Sequence, residues 1–203
     1  MSDAFQVDVF WSFRSPWSYL ATGRLRELQQ NYNVQMNFRP VYPIAIRTPD
    51  FFLTMDPLWP GYFQTDLRRV AEMLEIPLTW ANPGPVSQYR GDDGRPRTSE
   101  DQPHIYRLTR LGVVDAEMGK GIEFADEVGN AIWRGQANWH EGNHIAKAAE
   151  RAGLDLVTMD ALVAEDADRL GHPGEPGSSH SGGSLGRANH GVRRRTLLRP
   201  GPD

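Results

Sequence analysis

Ser15 has the most chemistry to offer in this chain, because of what stands around it. It lies within Val7-Asp8-Val9-Phe10-Trp11-Ser12-Phe13-Arg14-Ser15-Pro16-Trp17-Ser18-Tyr19-Leu20-Ala21. Val7, Val9 and Trp11 alternate with Asp8 and Phe10, which predicts a short strand. Ser15 suits a helix N-cap and Pro16 the first helical position, so a tight turn and a helix follow. A hydroxyl at that junction has two uses. It caps the helix, or it donates a hydrogen bond to an anion held by first-turn amides and the helix dipole. For a bound thiolate, the same field lowers the thiol's pKa. The 203 residues include no cysteine, so such a thiol has to arrive with a ligand. Spacing alone does not choose between cap and site.

Four side chains flank the inferred pocket: Trp11, Arg14, Trp17 and Tyr42. The aromatics serve equally as core, and Arg14 as a solvated charge. Arg14 is also suited to a carboxylate-bearing substrate, since a guanidinium pairs a carboxylate in a planar fork. His140-Glu141-Gly142-Asn143-His144 matches the zincin pattern HExxH, which requires both histidines on one helical face. Asn143 is a natural N-cap for the helix after it, which leaves His140 before that helix. The i, i+4 geometry then fails, no metal is expected, and a zinc hydrolase is a distant alternative. Arg193-Arg194-Arg195 reads as charge in a Gly/Ser-rich tail rather than as a nucleic-acid patch.

These groups need elements to hold them. After the first strand, Leu20, Ala21, Leu25 and Leu28 form an apolar stripe ending near Asn31. Val34, Met36 and Phe38 then alternate with polar residues as a second strand. The unit is βαβ, so its strands are predicted parallel with a right-handed connection. Phe63, Leu67, Val70 and Leu74 predict a helix stopped by Pro77. Ala81 to Arg97, dense in Pro, Gly and Asp, is predicted as a long loop. Further helices are predicted around Ile105 to Leu111, Phe124 to Ile132, Ile145 to Ala152 and Met159 to Ala164.

Composition narrows the classes. The chain is 39% hydrophobic and 24% charged with a net charge of −4, which points to no nucleic-acid partner. No run is long enough to span a bilayer and no secretory signal is legible, so no membrane is expected. Without cysteine, disulfides and thiolate metal sites are excluded, which is compatible with a cytoplasmic location. The charge is uneven: residues 171–203 are net +3 and hold 8 of the 20 glycines, while residues 1–170 are net −7. The composition changes near Leu170.

The opening segment FWSFRSPWSYLA resembles the 2-hydroxychromene-2-carboxylate isomerases and the related kappa-class glutathione transferases. FRPVYPIAIRTP, YFQTDLRRVAEMLEIP, FADEVGNAIW and AAERAGLD extend the likeness in order to about residue 170. The resemblance implies an α/β, thioredoxin-like (DsbA-like) fold with a helical domain inserted after the N-terminal βαβ unit. It divides the chain into residues 1–45 (βαβ half), 46–170 (helical insertion) and 171–203 (a tail predicted to be disordered). It implies a glutathione-dependent isomerase of small aromatic compounds, of use in aromatic degradation. Ser15 inherits the contact with the glutathione sulfur, as catalytic and glutathione-binding residue, and a homodimer is implied. A kappa-like transferase and a non-catalytic thioredoxin-like binding module are the alternatives. Some family members carry a lysine shortly before the helix that matches Tyr62 to Leu74, where this chain has Trp59-Pro60-Gly61.

The family's second half, with a GVPT loop and an FFGQDR-like segment, is absent as written. Read one base later, the codons for Gly182 to Asp203 permit AGHWGVPTMVFDGEPFFGQDR. A frame shift near Leu170–Gly171 is therefore expected, with residues 171–203 an out-of-frame translation. The 203-residue chain is then expected to be poorly soluble or inactive. A nucleotide sequence without that read-through, or cooperative melting together with glutathione binding, would refute this.

Overall fold

Alternation of apolar and polar side chains over Val7 to Trp11 and over Val34 to Phe38 yields two strands, β1 (Phe5–Trp11) and β2 (Val34–Pro40). They pair parallel in the register Val7↔Met36 and Val9↔Phe38, around the crossover helix α1 (Pro16–Asn31). The computed structural model describes residues 4–165, and the tail expected at 171–203 lies outside them. After β2 come two single-turn helices, α2 (Ile44–Arg47) and α3 (Phe51–Thr54), and then α4 (Trp59–Met73). A short hairpin follows, β3 (Gln88–Arg90) with β4 (Pro96–Thr98). Four helices complete the described part: α5 (Ile105–Glu117), α6 (Gly121–Trp133), α7 (His144–Arg151) and α8 (Leu156–Glu165).

The predicted βαβ unit and the five longer helices after it are all present. Two differences are instructive. The stretch Ala81 to Arg97 is not a loop throughout, because the antiparallel pair Gln88↔Thr98 and Arg90↔Pro96 runs through it. Three-residue strands are too short to show alternation, and the turn between them rests on Gly94 at φ +74°. The four-residue helices α2 and α3 are likewise shorter than one apolar repeat. In α1 the inward face is Pro16, Tyr19, Leu20 and Thr22, whereas Leu28, expected in the apolar stripe, is exposed.

The sheet is covered on one side among the described residues. Val9, Trp11, Met36 and Phe38 face the helices, while Gln6, Asp8, Phe10, Gln35 and Arg39 are exposed on the other side. Asp8 and Arg39 pair across that outer face at 2.7 Å. Helix α5 lies against β2 because Gly112 has no side chain: a Cβ there would sit 2.8 Å from Phe13 and 3.0 Å from Pro40. At the start of α6, a Cβ on Gly121 would sit 2.6 Å from the Phe38 ring. Helix α6 also packs on α1, where Arg26 pairs with Asp126, and α8 is tied to α5 by Arg107 and Asp160 at 2.6 Å.

Asp115 of α5 is fully buried, and among the described residues neither carboxyl oxygen has a well-formed hydrogen bond. Burial, with Glu123 adding to it, holds its pKa well above the ordinary value, so the folded protein favours the neutral acid. The unfolded chain releases that proton more readily. Stability is therefore lost as pH rises above the ordinary aspartate range, and the loss is absent below it.

Two measurements check this packing. Gly121→Ala is expected to cost about 1–3 kcal/mol in chemical denaturation, since the Phe38 ring has to move. Asp115→Asn is expected to raise the melting temperature at pH 8, by about 2–4 °C for each kcal/mol relieved. The gain should shrink toward nothing near pH 4. An equal shift at both pH values would contradict the assignment of a neutral Asp115.

Candidate active site

The site begins where β1 becomes α1. Ser15 is the N-cap, in extended conformation at φ −87° and ψ 113°, and its Oγ accepts from the Ser18 amide at 3.2 Å. Its own amide donates to the Ser12 carbonyl at 3.0 Å, which closes the turn. Ser15 is half-buried, and while Oγ accepts from Ser18 its own O–H remains a donor. Pro16 has no N–H and the Ser18 amide is occupied by the cap. By helix geometry the Trp17 amide is then a first-turn donor left without an intrahelical acceptor. Cap and anion-facing donor are one geometry here, so the two uses of Ser15 are compatible.

Beneath the turn, Trp11 is 1% exposed, and its indole N–H lies 3.1 Å from both Thr22 Oγ1 and the Ser18 carbonyl. Its ring meets Phe13 edge-on at 4.6 Å. The sequence reading placed Trp11 in the substrate pocket. The structure corrects that: Trp11 has no surface to offer a ligand and supports the turn from inside. Ser12 is also buried, and its Oγ has no partner among the described residues.

The other three flanking residues are partly accessible. Trp17 meets Phe63 edge-on at 6.1 Å, and Phe63 stacks on Trp59 at 4.7 Å and leans on Trp80 at 6.4 Å. Trp17, Trp59, Phe63 and Trp80 thus form an aromatic wall running from the first turn of α1 to α4. In the sequence Trp59 stands out only as a departure from the family pattern, and its i, i+4 spacing to Phe63 is the signal that links it to the wall. Tyr42, just after β2, meets Tyr106 edge-on at 5.6 Å, and its hydroxyl has no well-formed hydrogen bond among the described residues. Burial raises the pKa of Tyr42, with the nearby Arg110 opposing that rise.

Arg14 turns away from the wall toward β3. Its Nη2 donates to Gln88 Oε1 at 2.5 Å, and its guanidinium lies 5.2 Å from the centre of the Phe52 ring. Burial lowers its pKa from the ordinary arginine value. Gln88 and Phe52 were not legible as site residues, because nothing in the local sequence brings residue 88 to residue 14. An open groove of about 680 Å³ lies further along α4. Gln64, Leu67, Arg68, Pro77 and Trp80 line it, and it shares only Trp80 with the wall.

The HExxH segment is not a zincin helix. Gly142 takes φ +58° and α7 starts at His144, so His140 lies outside the helix. The His140 ring instead packs 4.5 Å from His104 and 5.7 Å from Trp139. Among the described residues no three His, Cys, Asp or Glu side chains gather as a metal would need. No described helix is long and apolar enough to cross a membrane. The Arg193–Arg195 run lies outside the described residues.

A two-stranded parallel start, a crossover helix capped by Ser15 and a following helical block define a thioredoxin-like protein of the DsbA kind. Residues 6–170 match the DSBA-like thioredoxin domain, and the chain belongs to that family. A 2-hydroxychromene-2-carboxylate isomerase of Pseudomonas sp. (strain C18) is 35% identical over 170 residues, covering 79% of this chain and 69% of that protein. The solved structure of a selenomethionine 2-hydroxychromene-2-carboxylate isomerase aligns with a TM-score of 0.57 at 20% identity, over 80% of this chain and 73% of that one. A probable DsbA oxidoreductase from Streptomyces coelicolor aligns at 0.50 and 15% identity, over 84% and 78%. These two structures support the fold, and the Pseudomonas relative is an isomerase.

Replacing Ser15 separates its two uses. Ser15→Ala is expected to cost about 1 kcal/mol of stability through loss of the cap, read by thermal or denaturant melting. Ser15→Asp keeps a cap acceptor and should melt near the wild-type temperature, although it carries a negative charge where an anion would sit.

Proposed function

We propose that this chain is a glutathione-dependent isomerase of the 2-hydroxychromene-2-carboxylate isomerase type, acting on a small aromatic compound. The observation that carries the reading is the Ser15 hydroxyl capping the N-terminus of α1, in a chain with no thiol of its own. The isomerase relative supports the reaction class. Glutathione, when bound, supplies a thiolate that adds to the substrate and later leaves, which frees rotation about the former double bond.

The residues present fit that group. Ser15 would hold the sulfur as a thiolate through its O–H, and the start of α1 would keep it ionised at neutral pH. The aromatic wall of Trp17, Trp59, Phe63 and Trp80 would position a planar substrate beside that sulfur by edge and face contacts. Cytoplasmic location and a homodimer belong to the same proposal, as does a frame shift near Leu170. What supports the shift is that the family match stops at residue 170, where the composition changes.

Glutathione titration and turnover of a chromene-type substrate test the reading, on the 203-residue chain and on a frame-corrected chain. Ser15→Ala should lower turnover by about tenfold or more, and Ser15→Asp should lower it further although it keeps the cap. Glutathione binding with no turnover in either chain would leave a binding module instead. If both Ser15 variants bind and turn over like wild type, the assignment of the sulfur to Ser15 is wrong.

A further inference from the structure

Arg14 is a cation drawn into the protein without a counter-ion: among the described residues it makes no ion pair with any carboxylate. Phe52 covers one face of the guanidinium and Gln88 Oε1 takes one of its N–H groups. The orientation of Gln88 is set by this contact, because only its oxygen can face a donor. Its Nε2 is left as a buried donor with no partner among the described residues. The remaining edge of Arg14 thus presents donors only, next to Ser15, and the covered Gln88 Nε2 adds an unsatisfied donor to the same pair. A donor-only set around a partly desolvated cation is matched by an anion, and a planar fork is matched by a carboxylate.

We propose that Arg14 and Gln88, held together by β3 and the Phe52 ring, form a carboxylate-binding subsite beside Ser15. It rests on the reading of Ser15 as the thiol contact only for what the carboxylate belongs to. A ligand anchored here has its carboxylate directed toward the β3–β4 hairpin and its reacting portion toward the first turn of α1. Two sources carry that group: a carboxylate of glutathione, or a carboxylate on the aromatic substrate. Neither a sequence motif nor a neighbouring position links residues 14 and 88, 74 positions apart. The hairpin brings them together, fastened to α2 by Thr98 Oγ1 donating to the Ala45 carbonyl at 3.1 Å.

Calorimetric titration of the 203-residue chain and of a frame-corrected chain separates the sources, and its outcomes are read on whichever of the two melts cooperatively. The probes are salicylate against salicylamide, and glutathione against its diethyl ester. Arg14→Met is expected to weaken binding of one of the acids by about tenfold or more, with its neutral counterpart unaffected. Loss for salicylate identifies a substrate carboxylate, and loss for glutathione but not its ester identifies the peptide. Gln88→Glu should also abolish that binding while raising the melting temperature, since the new carboxylate neutralises Arg14 in place. Acid binding unchanged by both variants, or no acid bound by wild type, overturns the subsite. Arg14-dependent salicylate binding without any glutathione binding would instead remove the glutathione reading and leave the subsite standing.

Discussion

The position of the Ser15 turn depends on one buried group, the indole of Trp11. Its N–H reaches both the Thr22 hydroxyl and the Ser18 carbonyl, and so bonds the last residue of β1 to the first two turns of α1. Thr22 is itself committed, donating to the same Ser18 carbonyl at 2.8 Å. A buried indole N–H left without an acceptor is costly, so strand and helix cannot slide past each other independently. Phe13 and Phe38 pack against the Trp11 ring, and Phe124 of α6 closes on Phe13 at 6.1 Å. Ser15 is held by this packing rather than by its own contacts.

The same arrangement explains why helices distant in sequence bear on the turn. Gly112 and Gly121 allow α5 and α6 to approach β2 closely, where any larger residue would strike Phe13, Pro40 or Phe38. Tyr19, four residues after Ser15, donates to the Pro77 carbonyl at 2.8 Å and accepts from Arg134 at 3.3 Å. Helix α1 is therefore gripped along its length, by the strand behind it, the 77–80 segment beside it and α6 across from it. A ligand at its N-terminus meets donors that are already ordered, which spares the entropy of arranging them on binding.

Much of this was legible beforehand and some was not. Strand alternation and the Ser-Pro pair located β1, α1 and β2, because those signals are local: period two, period 3.6 and a capping residue. Gly142 and Asn143 likewise mark the entry to α7 rather than its middle, as their residue types suggest. Trp11 was misplaced because an aromatic next to a site reads alike whether it faces a ligand or the core. Gln88 and Phe52 carried no signal at all; they belong to a three-residue strand and a four-residue helix, both below the length at which periodicity shows.

The sequence by itself determined that a serine caps the helix after the first strand and that no thiol accompanies it. Those follow from residue identity and short-range pattern. Only the tertiary structure decided what surrounds that serine: Trp11 below it, an aromatic wall from α4 on one side, and Arg14 joined to Gln88 on the other. Burial and long-range contact depend on how separate elements pack. A side chain's neighbours 50 to 70 residues away leave no imprint on its own stretch of chain.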